Sequence, residues 1–310
     1  MNPTTIPATA PADQILPEAA RLGPVHLAVT DADRARTFWT RAVGLTVIAE
    51  DATTISLGAG GETLIVLYPG ASGPVVGRRT GLYHVAIHVP TRKDLAILTY
   101  RLFALRYPNS PTDHLVTETT YFSDQDGNGI EITFETPERG EMVVQPNGQF
   151  GARTVDGQPH SGREGVDLES LFAELSEGDS LETALPEGTR VGHVHLHINN
   201  LELAQAFYRD VIGFRPLMSM PAIGMADFAL DRTTVPHALA LNTWSGEGAL
   251  PAPEGTSGLR HFTLELPAMA DLESLAGRLR DAGHAFEQAG STLTVLDPAR
   301  NQLQAIVQER

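Results

Sequence analysis

Short runs in which apolar and polar residues alternate return at fixed intervals along this chain. The run GPVHLAV (23–29) recurs as GHVHLHI (192–198), and His26 to His195 and Phe38 to Phe207 are both 169 positions apart. A second pair, GLYHVAIHVP (81–90) and GLRHFTLELP (258–267), is offset by 177. A third, DQDGNGIEI (124–132) and DPARNQLQA (297–305), is offset by 173, the difference being a four-residue gap in a loop. Each alternating run predicts a strand. A segment with apolar residues three to four apart and a closing Gly follows it and predicts a helix, and after that come several short strands separated by Gly, Asp and Asn turns. The chain is therefore read as four βαβββ units, two in each half, an α+β fold in which paired units form cup-shaped mixed sheets around a cavity. Residues 21–136 are expected to form the first paired-unit domain and 188–310 the second. Residues 137–187 lack the repeat and read as a connection, with one short helix near Asp167–Leu175.

Composition narrows the functional classes. With 22 basic and 38 acidic side chains among 310 residues, the chain lacks the basic face that nucleic acid requires. The absence of cysteine excludes disulfides and thiolate sites and fits a reducing cytoplasm. No apolar run is long enough for a membrane span. Residues 1–20, rich in Ala, Pro and Thr, read as a flexible tail without the basic start and apolar centre of a secretion signal. No GxSxG elbow is present, and no GxGxxG follows a strand.

Candidate chemistry sits on the repeats. His26 and His84 occupy equivalent positions on the first strands of units one and two, and Glu131 lies on the strand GIEITF, facing opposite to Ile130 and Ile132. Two imidazoles and a carboxylate with open positions left over form the set that holds Fe(II) in non-haem oxygenases, and Mn(II) accepts the same donors. In the second half His195 and His261 persist, but Gln304 stands at the position of Glu131 and Thr294 at that of Tyr121. Units three and four are therefore expected to form a cavity without tightly held iron. His193, His195 and His197 alternate and make one histidine-rich face, and His237 lies on a strand near it. If unit two pairs with unit three rather than unit one, His195 replaces His26; sequence neighbours are usually spatial neighbours, which favours His26. Arg78 and Arg79 read as a solvated pair on a loop, with contact to an anionic substrate as the alternative.

These motifs resemble the vicinal oxygen chelate superfamily, which includes glyoxalase I, bleomycin-resistance proteins and extradiol dioxygenases. The resemblance covers about 21–136 and 188–307 and is nearest to the catechol 2,3-dioxygenase branch. An extradiol signature runs from a His through an apolar-Tyr pair and Asp-Pro-x-Gly to a metal-binding Glu. Here it reads His114, Thr120-Tyr121, Asp124-Gln125-Asp126-Gly127 and Glu131, with matching spacing and departures at Thr120 and Gln125. The resemblance implies a ring-cleaving dioxygenase that takes a small aromatic substrate and O₂. Tyr121 would hydrogen-bond a catechol at the metal, and His114 would lie beside it as an acid-base group. Two other readings share the fold. One is a glyoxalase-like lyase or isomerase, which usually uses four protein ligands, whereas TLIVLYP (63–69) offers only apolar side chains where a fourth would come. The other is a binding protein without catalysis, which predicts no tight metal. Paired-unit proteins often dimerise through sheet edges, while four units in one chain can also satisfy each other, so a homodimer is left open.

Overall fold

The computed structural model describes residues 15–144, 150–230 and 237–307. All four βαβββ units are present, as the repeats predict. In each, the first strand leads into a helix and then pairs in parallel with the unit's last strand, as Val25 with Ile65, Val85 with Ile130, Val194 with Leu239 and Phe262 with Leu303. The first helices of the two halves end alike, in π-turns at Trp39–Val43 and Phe207–Ile212. Both close on a left-handed glycine, Gly44 (φ 93°) and Gly213 (φ 99°), a conformation that side-chain-bearing residues rarely adopt.

Unit pairing departs from the expected order. An eight-stranded sheet joins unit one to unit four, and a nine-stranded sheet joins unit two to unit three. The joins are antiparallel contacts between first strands. Arg21–Val29 lies against Gly258–Leu266 with His26 opposite His261, and Gly81–His88 lies against Arg190–His197 with His84 opposite His195. Residues 21–136 and 188–310 are thus not two separate cups, because each half gives one unit to each sheet.

Sequence neighbours do meet, but through their helices. Arg101, on the helix Arg92–Ala104 of unit two, is 3% exposed and donates to the carbonyls of Val43, Leu181 and Thr183. Its repeat equivalent Arg278, on the helix Met269–Asp281 of unit four, donates to the carbonyls of Val211 and Ile212, each at 2.8 Å. Each guanidinium therefore caps the C-terminus of the preceding unit's helix, where carbonyls lack intrahelical partners. A Cβ on Gly44 would lie 2.3 Å from the Arg101 Nη1, so glycine is needed there for room as well as for φ.

The connection is more structured than expected. Its helix, Leu168–Phe172, is capped by Asp167, and a small sheet forms from Gly140–Val144, Phe150–Thr154 and Pro159–His160. Most of the expected tail lies outside the described residues. Within it, Leu16 and Ala20 are buried, and the Leu16 N–H donates to Gly213 at 2.9 Å, so the end of that segment packs on unit three. No helix among the described residues is long and apolar enough to cross a membrane.

The clamp yields a test. Arg101→Met should cost about 2–3 kcal/mol, because the buried Val43 carbonyl and the part-buried carbonyls of Leu181 and Thr183 lose a charged donor. Arg278→Met, with fewer carbonyls and more exposure, should cost less. Thermal unfolding of both variants beside the wild type measures the difference.

Candidate metal centre

Three donors converge at the join of units two and three. The Nε2 atoms of His84 and His193 are 3.0 Å apart, and Glu131 Oε2 lies 3.0 Å from the first and 3.1 Å from the second. All three residues are buried, and they form the one candidate metal-holding group among the described residues. Register explains the convergence. Ala86 stands directly opposite His193 on one side and Glu131 on the other. Its small side chain lets the two reach each other across the central strand. His84, two residues earlier on the same face, leans in from above.

The donor set fits a divalent ion. With bonds of about 2.1 Å, donors at right angles around a metal lie about 3.0 Å apart, the edge of one octahedral face. Protonation states agree with this. Burial lowers both imidazoles, the direction that favours their metal-binding form. Burial would raise the Glu131 carboxyl, but His193 and His84 outweigh it and hold it well below the usual carboxylate range. Thr133 donates to the other carboxylate oxygen at 2.9 Å.

A second tier of contacts aims His193. His88 Nδ1 lies 2.6 Å from Glu135, and since the carboxylate only accepts, that nitrogen carries a proton. The other nitrogen of that ring, Nε2, lies 3.4 Å from His193 Nδ1. With Nδ1 on the His88 side, His193 presents Nε2 to Glu131 and His84, the kind of outer contact that orients a metal-binding imidazole. Gly192 makes the contact sterically feasible, because a Cβ there would sit 1.9 Å from the His88 ring.

His114 and Tyr121 are brought to the same place. Tyr121 stands opposite Glu131 in register, and its ring centroid is 5.5 Å from that of His84. Its hydroxyl lies 2.9 Å from His114 Nε2, while His114 Nδ1 lies 2.6 Å from the Gly162 carbonyl. The carbonyl requires a proton on Nδ1, so Nε2 is the nitrogen left to meet the phenol. Burial, and then the Glu131 charge, raise Tyr121 well above the ordinary tyrosine value, so it stays a donor. The pocket above these groups holds about 240 Å³. Met142, Leu217, Met218, Ile223, Met225 and Trp244 give it largely apolar walls.

Two expected ligands lie elsewhere. His26 belongs to the other sheet, where its ring stacks on His261 with centroids 3.8 Å apart and its Nδ1 lies 3.0 Å from the Tyr68 hydroxyl. The expected His26–His84–Glu131 set is therefore corrected, because the pairing of units two and three separates His26 from the other two. His195 is in the right sheet and lines the pocket, but it faces His84 directly in register and its Nε2 is engaged by Asn242 at 2.9 Å. His193 takes the place assigned to it. Its only signal was membership of the histidine-rich face, since unit one carries Pro24 at the equivalent position. Met142, Gly162 and Arg163 reach the pocket from the connection, which no repeat could indicate.

Comparison with known proteins agrees with this architecture. The model of the Glyoxalase/Bleomycin resistance protein/Dioxygenase superfamily matches residues 21–132 and 190–303. A catechol-2,3-dioxygenase of Bacillus subtilis (strain 168) is 34% identical over 284 residues, spanning 91% of this chain and 95% of that protein. Among solved structures, a putative dioxygenase from Bacillus subtilis subsp. subtilis str. 168 superposes with a TM-score of 0.63 at 12% identity, covering 93% of this chain and 85% of that one. Glyoxalase I from Zea mays superposes with a TM-score of 0.58 at 15% identity, covering 93% and 92%. At these identities the two structures share the fold.

Two outcomes are expected. His88→Ala should weaken divalent-ion affinity about 10–100-fold by freeing the His193 ring, as read by competition with a chelating dye. Asp227, on the pocket wall, is raised by burial to about 7. Unfolded chains lose that proton near the ordinary carboxylate value, so between the two values the folded form holds more protons. Its contribution to stability is full in acid and lost as pH rises through about 7. Relative to Asp227→Asn, the wild type should lose about 2–3 kcal/mol between roughly pH 5 and pH 8, measured by urea unfolding.

Proposed function

We propose a function from one premise: the chain belongs to the Glyoxalase/Bleomycin resistance protein/Dioxygenase superfamily. Within it, the chain acts as an extradiol ring-cleaving dioxygenase on a small catechol-type aromatic, with Fe(II) held by His84, His193 and Glu131. Mn(II) suits the same donors. The observation that carries this reading is the three-donor face at the base of an apolar pocket, with the Tyr121–His114 pair on the same wall. The 34% identity to a catechol-2,3-dioxygenase supports it.

The bound ion supplies Lewis acidity and electron transfer between the aromatic and O₂. The chain's residues do the rest. Three protein donors leave the remaining positions to substrate and O₂. The apolar walls receive the ring and exclude water. Tyr121, kept protonated and directed at His114, accepts a hydrogen bond from a substrate hydroxyl on its free lone pair. His114, with its proton on Nδ1 directed at Gly162, has Nε2 available to take a proton passed through Tyr121. The uncharged His193 and His84 leave Glu131 as the one anionic donor, so a catechol that binds as an anion is not repelled by a second carboxylate.

The test is anaerobic reconstitution with Fe(II), followed by catechol and O₂ with absorbance of the yellow ring-opened product as readout. Wild type should bind about one ion per chain and produce colour. Glu131→Gln should lose both. Tyr121→Phe and His114→Gln should keep the ion and lose about 10²–10⁴ in kcat, the usual worth of a positioned proton-transfer group. Bound ion without ring opening across simple catechols would overturn the dioxygenase reading in favour of a lyase or isomerase on this fold.

A further inference from the structure

The cup of units one and four has diverged from the metal cup in a consistent direction. At positions equivalent through the repeats, Pro24 replaces His193, Gln304 replaces Glu131 and Arg260 replaces Tyr83, while His261 keeps the place of His84. Two metal donors, including the only anion, are gone, and a cation has been added.

The cavity between this cup and the facing strands and loops of units two and three, with Tyr83 shared with the metal pocket, holds about 760 Å³, within the range of small-molecule sites. Four arginines line it, Arg78, Arg79, Arg260 and Arg300, against one carboxylate, Glu254. That balance is opposite to the chain's, which carries 22 basic and 38 acidic side chains. No carboxylate among the described residues pairs with any of the four. Arg78 (φ 58°) and Arg300 (φ 69°) are held in left-handed backbone, a strained state that gathers at ligand clamps.

Behind the arginines lies a prepared polar floor. The Arg260 guanidinium sits 4.3 Å from the centroid of the Tyr68 ring, and the Tyr68 hydroxyl is fixed by His26. His26 in turn stacks on His261. His261 lines the cavity at 7% exposure, and its Nε2 has no hydrogen-bond partner. Burial, then His26 and Arg260, lower His261 to about 3, so the ring is neutral. A buried imidazole nitrogen without a partner costs free energy unless a ligand satisfies it. Guanidinium groups can only donate, so the ligand that satisfies them must accept.

We infer that this second cavity binds an oxyanion, a carboxylate or phosphate carried on a small organic molecule, through Arg260 and Arg79 with His261 at its floor. Leu82, Leu259 and Val75 supply apolar surface for the body of the molecule. In this proposal Arg79 takes the alternative role of the Arg78–Arg79 pair, contact with an anion, at a cavity that meets the metal pocket only at Tyr83.

Isothermal titration of the full chain with benzoate, inorganic phosphate and the neutral benzamide tests this. Benzoate, phosphate or both should saturate one site per chain, and benzamide should not. Benzoate alone identifies an organic carboxylate, and phosphate alone a phosphate group. Arg260→Gln at an exposed position and Arg79→Gln at a half-buried one should each weaken anion binding about tenfold or more while keeping the wild-type circular dichroism. The His261 ring resonances should shift on titration. Binding should persist in Glu131→Gln, which separates this cavity from the metal pocket and from the dioxygenase reading. Absence of saturable anion binding, equal binding of benzamide, unchanged affinity in both arginine variants, or loss of binding in Glu131→Gln would each overturn the inference.

Discussion

The antiparallel register between Gly81–His88 and Arg190–His197 is the constraint on which the centre depends. It places Ala86 between His193 and Glu131, so two side chains from strands that are not neighbours can meet above a methyl group. A one-residue slip would turn the whole of one strand's set to the other face. Buried apolar residues on the reverse face, Val85, Ile87, Val194 and Leu196, resist such a slip because it would drive the histidines into the core. The same packing that stabilises the sheet therefore holds the donors. Three convergent polar groups in a dry interior would otherwise be costly, and that cost is what a divalent ion would offset.

Around this register the chain is stitched two ways. First strands join units across the halves, while Arg101 and Arg278 join helices within each half. Neither half can close a cup by itself, and neither sheet is built from one continuous stretch. The proximity of sequence neighbours is satisfied by helix capping rather than by strand pairing. Reading sequence proximity as sheet pairing leads to His26, and the structure leads to His193.

Legibility followed the repeats. The repeats made the four units, the strands, the helix ends at Gly44 and Gly213 and the strand position of His84 readable, and Glu131 stood out as the copy that keeps a carboxylate where the other has Gln304. The extradiol-like spacing placed His114 near Tyr121, and the structure brings them to 2.9 Å. What could not be read was asymmetric or long-range. His193 has no histidine counterpart in unit one, so comparing copies passes over it. His88 looks like an ordinary strand residue until Gly192, on the neighbouring strand, leaves room for its ring. Met142, Gly162 and Arg163 come from the segment without a repeat, whose path is set by tertiary contacts such as Arg92 with the Ser170 carbonyl and Glu174 rather than by local pattern.

The two cups show how one scaffold supports opposite electrostatics. Both keep a pair of histidines in register, His84 with His195 and His26 with His261. In one, Glu131 and His193 join His84 in a donor set suited to a cation, while Asn242 engages His195. In the other, an amide and a proline remove the attraction, and arginines take over the mouth. The retained histidines then need another reason to stay buried. Stacking and the Tyr68 hydroxyl account for His26 but leave the His261 Nε2 open toward the cavity. Because the four units are joined through both strands and helices, either cup must remain folded for the other to hold its register. A cup relieved of metal ligation is therefore kept as structure, and its interior is free to take on a different ligand.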